Sequence, residues 1–276
     1  MARIFLLLGI LLLLIAGCGG PSGTLFTALD PEKTGVDFNN YIEETDSFNI
    51  LFDEYIYNGG GVGVGDFNND GLQDLYFTGN NVSNRLYLNR GNFRFEDVTD
   101  YSGTDARDIW TSGVSVVDIN NDGWMDMYLT ATFKHEDGSR KNKLFINQGL
   151  REGIPVFIDQ AAEYGIDDDG HTTHGVFFDY DLDGDLDLYN LTNVFLGKRS
   201  MGDNNLAIED RSLTVDKLFR NDGNGRFTNV SREAGIILDG FGLGIAVLDV
   251  NRDGYPDLYV SNDFISSDIL YVNNGD

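Results

Sequence analysis

The 276-residue chain contains one cysteine, four prolines and three histidines, and its 19 basic residues face 45 acidic ones. A single cysteine excludes an intramolecular disulfide framework and a cysteine-built zinc site. A formal net charge of −26 excludes the basic footprint that nucleic-acid binding requires, and it disfavours an anionic membrane surface. Cationic partners remain, and a divalent metal is the plainest of them. No Gly-rich phosphate loop, nucleophile elbow or HExxH helix is present. Long apolar runs are also scarce. The main one, Ile4 to Ala16, rises only about 20 Å as a helix, too short for a hydrocarbon core of ~30 Å.

That run fits the apolar region of a signal peptide instead. Arg3 is the only charge in the first 29 residues, and the run ends in Ile15-Ala16-Gly17-Cys18. This ending resembles the bacterial lipobox, in which the cysteine becomes the first residue and is acylated. The resemblance implies a signal peptide over 1–17, lipidation at Cys18 and a tether over 18–44. It places the protein in the bacterial cell envelope, lipid-anchored at the outer membrane or cell surface. Several acyl chains anchor stably where one is marginal. The alternative is an ordinary secretory signal with an incidental cysteine.

What the chain has in abundance is acid and glycine, 34 residues of the latter, and they recur together. Four segments share the pattern D-x-(D/N)-x-D-G-x-x-D, followed by an apolar residue and tyrosine, with starts 52, 61 and 70 residues apart. The first holds Asp66, Asn68, Asp70, Gly71, Leu72 and Asp74, and the second Asp118, Asn120, Asp122, Gly123, Trp124 and Asp126. The third holds Asp179, Asp181, Asp183, Gly184, Asp185 and Asp187, and the fourth Asp249, Asn251, Asp253, Gly254, Tyr255 and Asp257.

Ca²⁺ wants about six to eight oxygen ligands, and short carboxylates on alternate residues of a tight loop supply them. Positions 1, 3 and 5 offer side-chain oxygens, and position 9 closes the shell with a carboxylate. The glycine at position 6 permits the sharp turn. The carbonyl of position 7 (Leu72, Trp124, Asp185, Tyr255) is expected to contribute, because the side chain there follows no pattern. About four calcium ions are therefore expected. Mg²⁺ resists all-protein cages, and ion-free Asp/Asn/Gly turns would leave carboxylates repelling one another in every copy. An EF-hand is excluded, because its twelfth position would be Glu and here is Phe77, Leu129, Asn190 or Val260.

The flanks read as strands. Gly61 to Gly65 and Val114 to Val117 precede loops, while Leu75 to Thr78 and Leu258 to Ser261 follow them. A second hairpin follows each loop: Arg85 to Asn89 with Phe93 to Val98, Lys143 to Asn147 with Phe157 to Asp159, and Lys217 to Asn221 with Phe227 to Val230. One repeat is thus four strands with calcium in the first hairpin, the sequence mark of a propeller blade. The expected fold is all-β, a β-propeller of four-stranded blades over about 57–105, 109–166, 171–236 and 240–276, the last incomplete.

On these loops, and on the stretches Tyr57 to Asp66 and Thr173 to Asp181, the chain resembles the FG-GAP/VCBS repeat proteins. These include the propeller of integrin α heads, and the likeness is greatest to bacterial lipoproteins of the cartilage-acidic-protein and ASPIC/UnbV group. The resemblance covers about residues 45–276. It implies a calcium-bearing, non-catalytic propeller used for binding or adhesion, and since such propellers have about seven blades, a longer parent protein. The alternative function is the substrate-binding propeller of a polysaccharide-processing enzyme whose catalytic region lies outside this chain. A purely structural envelope protein ranks third.

The connections between second and third strands vary most, and loops on a rigid scaffold are where recognition sits. Lys134, Arg140, Lys141, Lys198 and Arg199 gather there, so a glycan or protein ligand on that face is an expectation. His171 and His174, beside Asp167 to Asp169, have no repeated spacing and read as strand-entry residues rather than a metal or catalytic cluster.

Overall fold

The computed structural model describes residues 24–46, 48–51, 55–133, 139–193, 213–263 and 266–275. Cys18 and the apolar run Ile4 to Ala16, on which the lipidation and signal-peptide expectations rest, therefore lie outside the described residues. So do Lys134, Lys198 and Arg199.

Four antiparallel sheets follow one another along the chain, each meandering through strands in sequence order. Blade 1 comprises β1 (Val62–Gly65), β2 (Asp74–Phe77), β3 (Arg85–Asn89) and β4 (Phe95–Asp97). Blade 2 comprises β5 (Thr111–Val117), β6 (Asp126–Ala131), β7 (Lys143–Arg151) and β8 (Ile154–Asp159). Blade 3 comprises β9 (Thr172–Phe178), β10 (Asp187–Thr192), β11 (Lys217–Asn221) and β12 (Phe227–Asn229). Blade 4 comprises β13 (Gly242–Leu248), β14 (Asp257–Asn262) and β15 (Ile269–Tyr271). Fold and blade count agree with the sequence expectation, including the missing fourth strand of the last repeat. Short helices, α1 (Pro31–Thr34), α2 (Thr99–Ser102) and α3 (Ala161–Tyr164), end on left-handed glycines.

The core lies between blades, not within them. Side chains alternate across a strand, so one strand serves two neighbours. In β6, Met127 and Leu129 pack toward blade 1, while Tyr128 between them packs toward blade 3. Buried on both faces, β6 and β10 have no exposed residue along their length. Side chains such as Leu144 and Leu188, at 0% exposure, each contribute about 1.5–3 kcal/mol. Among the described residues, blade 4 has one covered face. Leu258 and Val260 face blade 3, whereas Leu248, Tyr259, Leu270 and Val272 face away and stay 41–46% exposed.

The inner strands approach so closely that one partner at each joint must be glycine. A Cβ on Gly63 would lie 2.9 Å from a Val116 methyl across the joint between blades 1 and 2. A Cβ on Gly175 would lie 2.9 Å from the Tyr128 ring, and one on Gly242 2.5 Å from Leu191 Cδ1. This spacing accounts for part of the glycine excess.

A polar latch recurs in each blade, buried in blades 1 to 3 and exposed in blade 4. The residue before the third strand caps the end of the second strand with its side-chain oxygen. Asn84 accepts from Gly79 N (2.7 Å), Asn142 from Ala131 N (2.9 Å), Asp216 from Thr192 N (2.7 Å) and Asp268 from Asn262 N (2.8 Å). The same side chain meets the repeat tyrosine: Tyr76, Tyr128, Tyr189 or Tyr259.

Candidate metal centre

Each acidic loop is the turn of a blade's first hairpin, at one end of the innermost strand. The pairings Gly65 with Asp74, Val117 with Asp126, Phe178 with Asp187 and Leu248 with Asp257 close it. Four loops with different intervening residues take one geometry. Position 4 is left-handed in all of them, at φ 57° for Asn69, 56° for Asn121, 60° for Leu182 and 62° for Arg252. Glycine at position 6 has φ of 86–98°, with open space where a Cβ would go, so the backbone rather than crowding demands it.

Hydrogen bonds hold the carboxylates inward. In the first loop Asp66 accepts from Asp70 N (3.0 Å) and Gly71 N (2.7 Å), and Asp70 accepts from Leu72 N (2.9 Å). Asn68 accepts from Asp70 N at 3.1 Å. The second, third and fourth loops repeat this set around Asp118, Asp179 and Asp249, with position-3 oxygens from Asn120, Asp181 and Asn251. Asp122, Asp183 and Asp253 accept from the N–H groups of Trp124, Asp185 and Tyr255.

Position 9 has a second task that the repeat pattern does not reveal. Asp74 accepts from Phe67 N (3.0 Å) and Asn89 N (2.8 Å), pinning the loop to the end of β3. Asp126, Asp187 and Asp257 bind Asn147, Asn221 and Asn273 in the same way. These asparagines read from sequence as turn formers. Their recurrence at the end of every third strand was the available signal. Two of them also reach the preceding blade's loop: Asn147 donates to Phe67 O (2.9 Å) and Asn273 to Tyr180 O (2.8 Å).

The electrostatics fit a cation. Burial, opposed by the backbone N–H bonds and reinforced by neighbouring aspartates, raises Asp74 and Asp187 to about 6 and Asp126 to about 7. Burial likewise raises Asp181, with Asp183 and Asp179 adding to it. Oxygens of Asp179, Asp181 and Asp187 lie within 4.8 Å of one another. That cluster does not include Asp183, the position-5 residue. A hard divalent ion would replace repulsion with coordination, and the donor set, carboxylates, amide oxygens and a carbonyl, is the one calcium takes. In the other loops position 3 is asparagine, whose Nδ2 donates to position 5, at 3.0 Å from Asn68 to Asp70.

At the opposite end of the blades, the positive residues expected to form a recognition patch are already engaged where they are described. Lys141 pairs with Asp167 and Arg140 Nε donates to Asp169 O (2.6 Å); Lys217, outside that expected set, pairs with Asp168. His171 is 5% exposed, and its Nδ1 lies 2.7 Å from Thr132 O. Burial, with Arg140 nearby, lowers His171 to about 4, and burial lowers His174. Both are neutral packing residues at a strand entry, as their sequence setting indicates.

A family model for FG-GAP-like repeats matches residues 66–129 and 200–260, opening on the first aspartate of the first loop and ending inside β14. These are FG-GAP-like repeats. Blade 3's loop lies outside the matched spans, yet its hydrogen bonding is that of the other three FG-GAP loops. Cartilage acidic protein 1 of Mus musculus is 28% identical over 165 residues, covering 56% of this chain and 25% of that protein. The Xenopus tropicalis protein is 28% identical over 172 residues, covering 58% and 26%. The Homo sapiens protein is 28% identical over 165 residues, covering 56% and 24%. The chain spans about a quarter of the length of these curated relatives. Repeats, blades and relatives together give an FG-GAP β-propeller that resembles the cartilage acidic protein group.

Proposed function

We propose that this propeller is a calcium-stabilised, non-catalytic binding or adhesion module held at the bacterial cell envelope by a lipid on Cys18. The observation that carries the calcium reading is the four-fold recurrence of one oxygen cage in loops whose other residues differ. Asp66, Asn68, Asp70 and Asp74, with the Leu72 carbonyl, would hold the first ion, and the matching residues would hold the other three.

Calcium's part is mechanical. Each ion would tie the first hairpin of a blade without a disulfide, and four ions would move the net charge from −26 to −18. The non-catalytic reading rests on the carboxylates' being spent on loop backbone and metal, and on the two described histidines, His171 and His174, being packed as neutral groups. A glycan or protein ligand would sit on the end of the blades that carries the long connections of blades 2 and 3.

Calorimetric Ca²⁺ titration of the mature chain, with melts in calcium and in chelator, tests this reading. The expected result is about four ions per chain and a large rise in Tm, as for any ligand that binds only the folded state. Absence of both binding heat and Tm shift would sink the calcium assignment.

A further inference from the structure

The segment ahead of β1 carries none of the repeat, yet its described residues touch three blades. On blade 1, Tyr87 donates to Asp37 (2.8 Å), Phe38 stacks on Phe77 at 5.2 Å, and Asn40 and Asn80 exchange hydrogen bonds of 2.6 and 2.9 Å. On blade 2, Phe48 lies edge-on to Trp110 at 5.2 Å and to Phe133 at 6.0 Å. Trp110 leads into β5 and Phe133 follows β6, so this aromatic trio belongs to the blade's framework. On blade 4, Tyr55 stacks on Phe241 at 6.4 Å, and its hydroxyl lies 3.5 Å from Asp263. Ile56 is then fully buried, and the chain enters β1.

Blade 3 stands between blades 2 and 4 in the sheet order, yet Phe48 and Tyr55 are seven residues apart, a reach of at most about 24 Å. Core clusters join blade 1 to 2, 2 to 3 and 3 to 4. Among the described residues none joins blade 4 to blade 1.

We propose that the segment before β1 is a strap, with Phe48 as its anchor on blade 2 and Tyr55 as its anchor on blade 4, that couples blade 4 to blades 1 and 2. It supplies across the blade ends the restraint that sheet packing does not supply there. Blade 4, covered on one face only, is the blade whose order depends on it. Local opening free energies differ between parts of one fold, and amide exchange reads them segment by segment.

Hydrogen exchange of the full chain, each variant compared with wild type in the same buffer, tests the strap. Tyr55→Ala is expected to speed exchange in β13 and β14 about tenfold and to leave β6 and β7 unchanged. Phe48→Ala is expected to accelerate the same blade 4 amides although, among the described residues, its ring contacts are on blade 2, with the double variant no faster than the faster single one. A site-specific protease sequence inserted between Ile50 and Leu51 and cut after folding separates the anchors without changing either, and the same acceleration is expected. Unchanged blade 4 exchange in Tyr55→Ala and in the cut chain overturns the strap. Equal acceleration in all four blades also overturns it, because that is general destabilisation.

Discussion

Tyr189 donates its hydroxyl proton to Asp216 at 2.7 Å. One blade earlier the equivalent Tyr128 instead accepts from Asn142 at 2.9 Å and donates to the Ile166 carbonyl at 3.1 Å. A single Asn-to-Asp difference has reversed the direction of a buried hydrogen bond. Asp216 is 4% exposed; Tyr189, Thr192 and Tyr271 face it, and none of them is a cation. Burial therefore raises its carboxyl to about 7.

The sign follows directly. With the folded value near 7 and an unfolded value near 3.8, the folded state holds the extra proton. Asp216's contribution is complete below about pH 4 and is lost as pH rises through 7. Asp216→Asn, which blades 1 and 2 show to be compatible with the latch, is expected to raise stability at pH 8 by roughly 1–3 kcal/mol and to leave it unchanged at pH 4. Denaturant melts of both proteins at the two pH values check this; equal differences at both would contradict it.

His171 carries the opposite sign. Its folded value is about 4 against 6.5 unfolded, so its contribution is present above pH 6.5 and is lost as pH falls through 4. Proton NMR is expected to show this imidazole neutral at pH 5.5. A titration midpoint above 6 would show that its packing is looser than described.

The two kinds of acidic position in a loop are separable by mutation. Asp126 accepts two backbone N–H groups, so Asp126→Asn orphans one of them and is expected to cost about 1–3 kcal/mol already in chelator, and more in calcium, where a ligand is lost as well. Exposed Asp122 can be replaced by water, so Asp122→Asn is expected to cost under ~1 kcal/mol in chelator and to weaken calcium binding. Paired melts with and without calcium distinguish them. Equal costs for the two variants in chelator would refute the division.

Leu182 occupies a left-handed position at φ 60° where blades 1 and 2 use asparagine, and its side chain is 52% exposed. Leu182→Asn is expected to add roughly 0.5–1 kcal/mol by removing that strain. A lower Tm in the variant would mean that the leucine makes a contact worth more than the strain.

Blade order, strand order and all four loops were legible in the sequence because each is written more than once. Repetition separates a ligand pattern from a chance cluster of aspartates. What was not legible depended on a single partner far away in the chain. Asn84, Asn142, Asp216 and Asp268 carry no signal of their own in the sequence, because their partner tyrosines sit in the preceding strand. Phe48 and Tyr55 lie outside every repeat, so no comparison of copies picks them out. Arg140 and Lys141, the described members of the expected basic face, bond to Asp169 O and to Asp167, pairings across the chain that no repeat pattern reveals.

The glycine notches at the axis also give the blades an order. Between blades 1 and 2 the notch is on the earlier blade, where Gly63 takes Val116; between blades 2 and 3 both sides carry one, where Gly113 takes the Thr173 carbonyl and Gly175 takes Tyr128; between blades 3 and 4 it is on the later blade, where Gly242 takes Leu191. Blades that look alike in their acidic loops are thus unlike at their hubs, and transposing two of them would bring bulk against bulk while leaving every loop intact. Duplication can copy a loop freely, but each copy's place in the row is fixed by the neighbours its inner strand can accept.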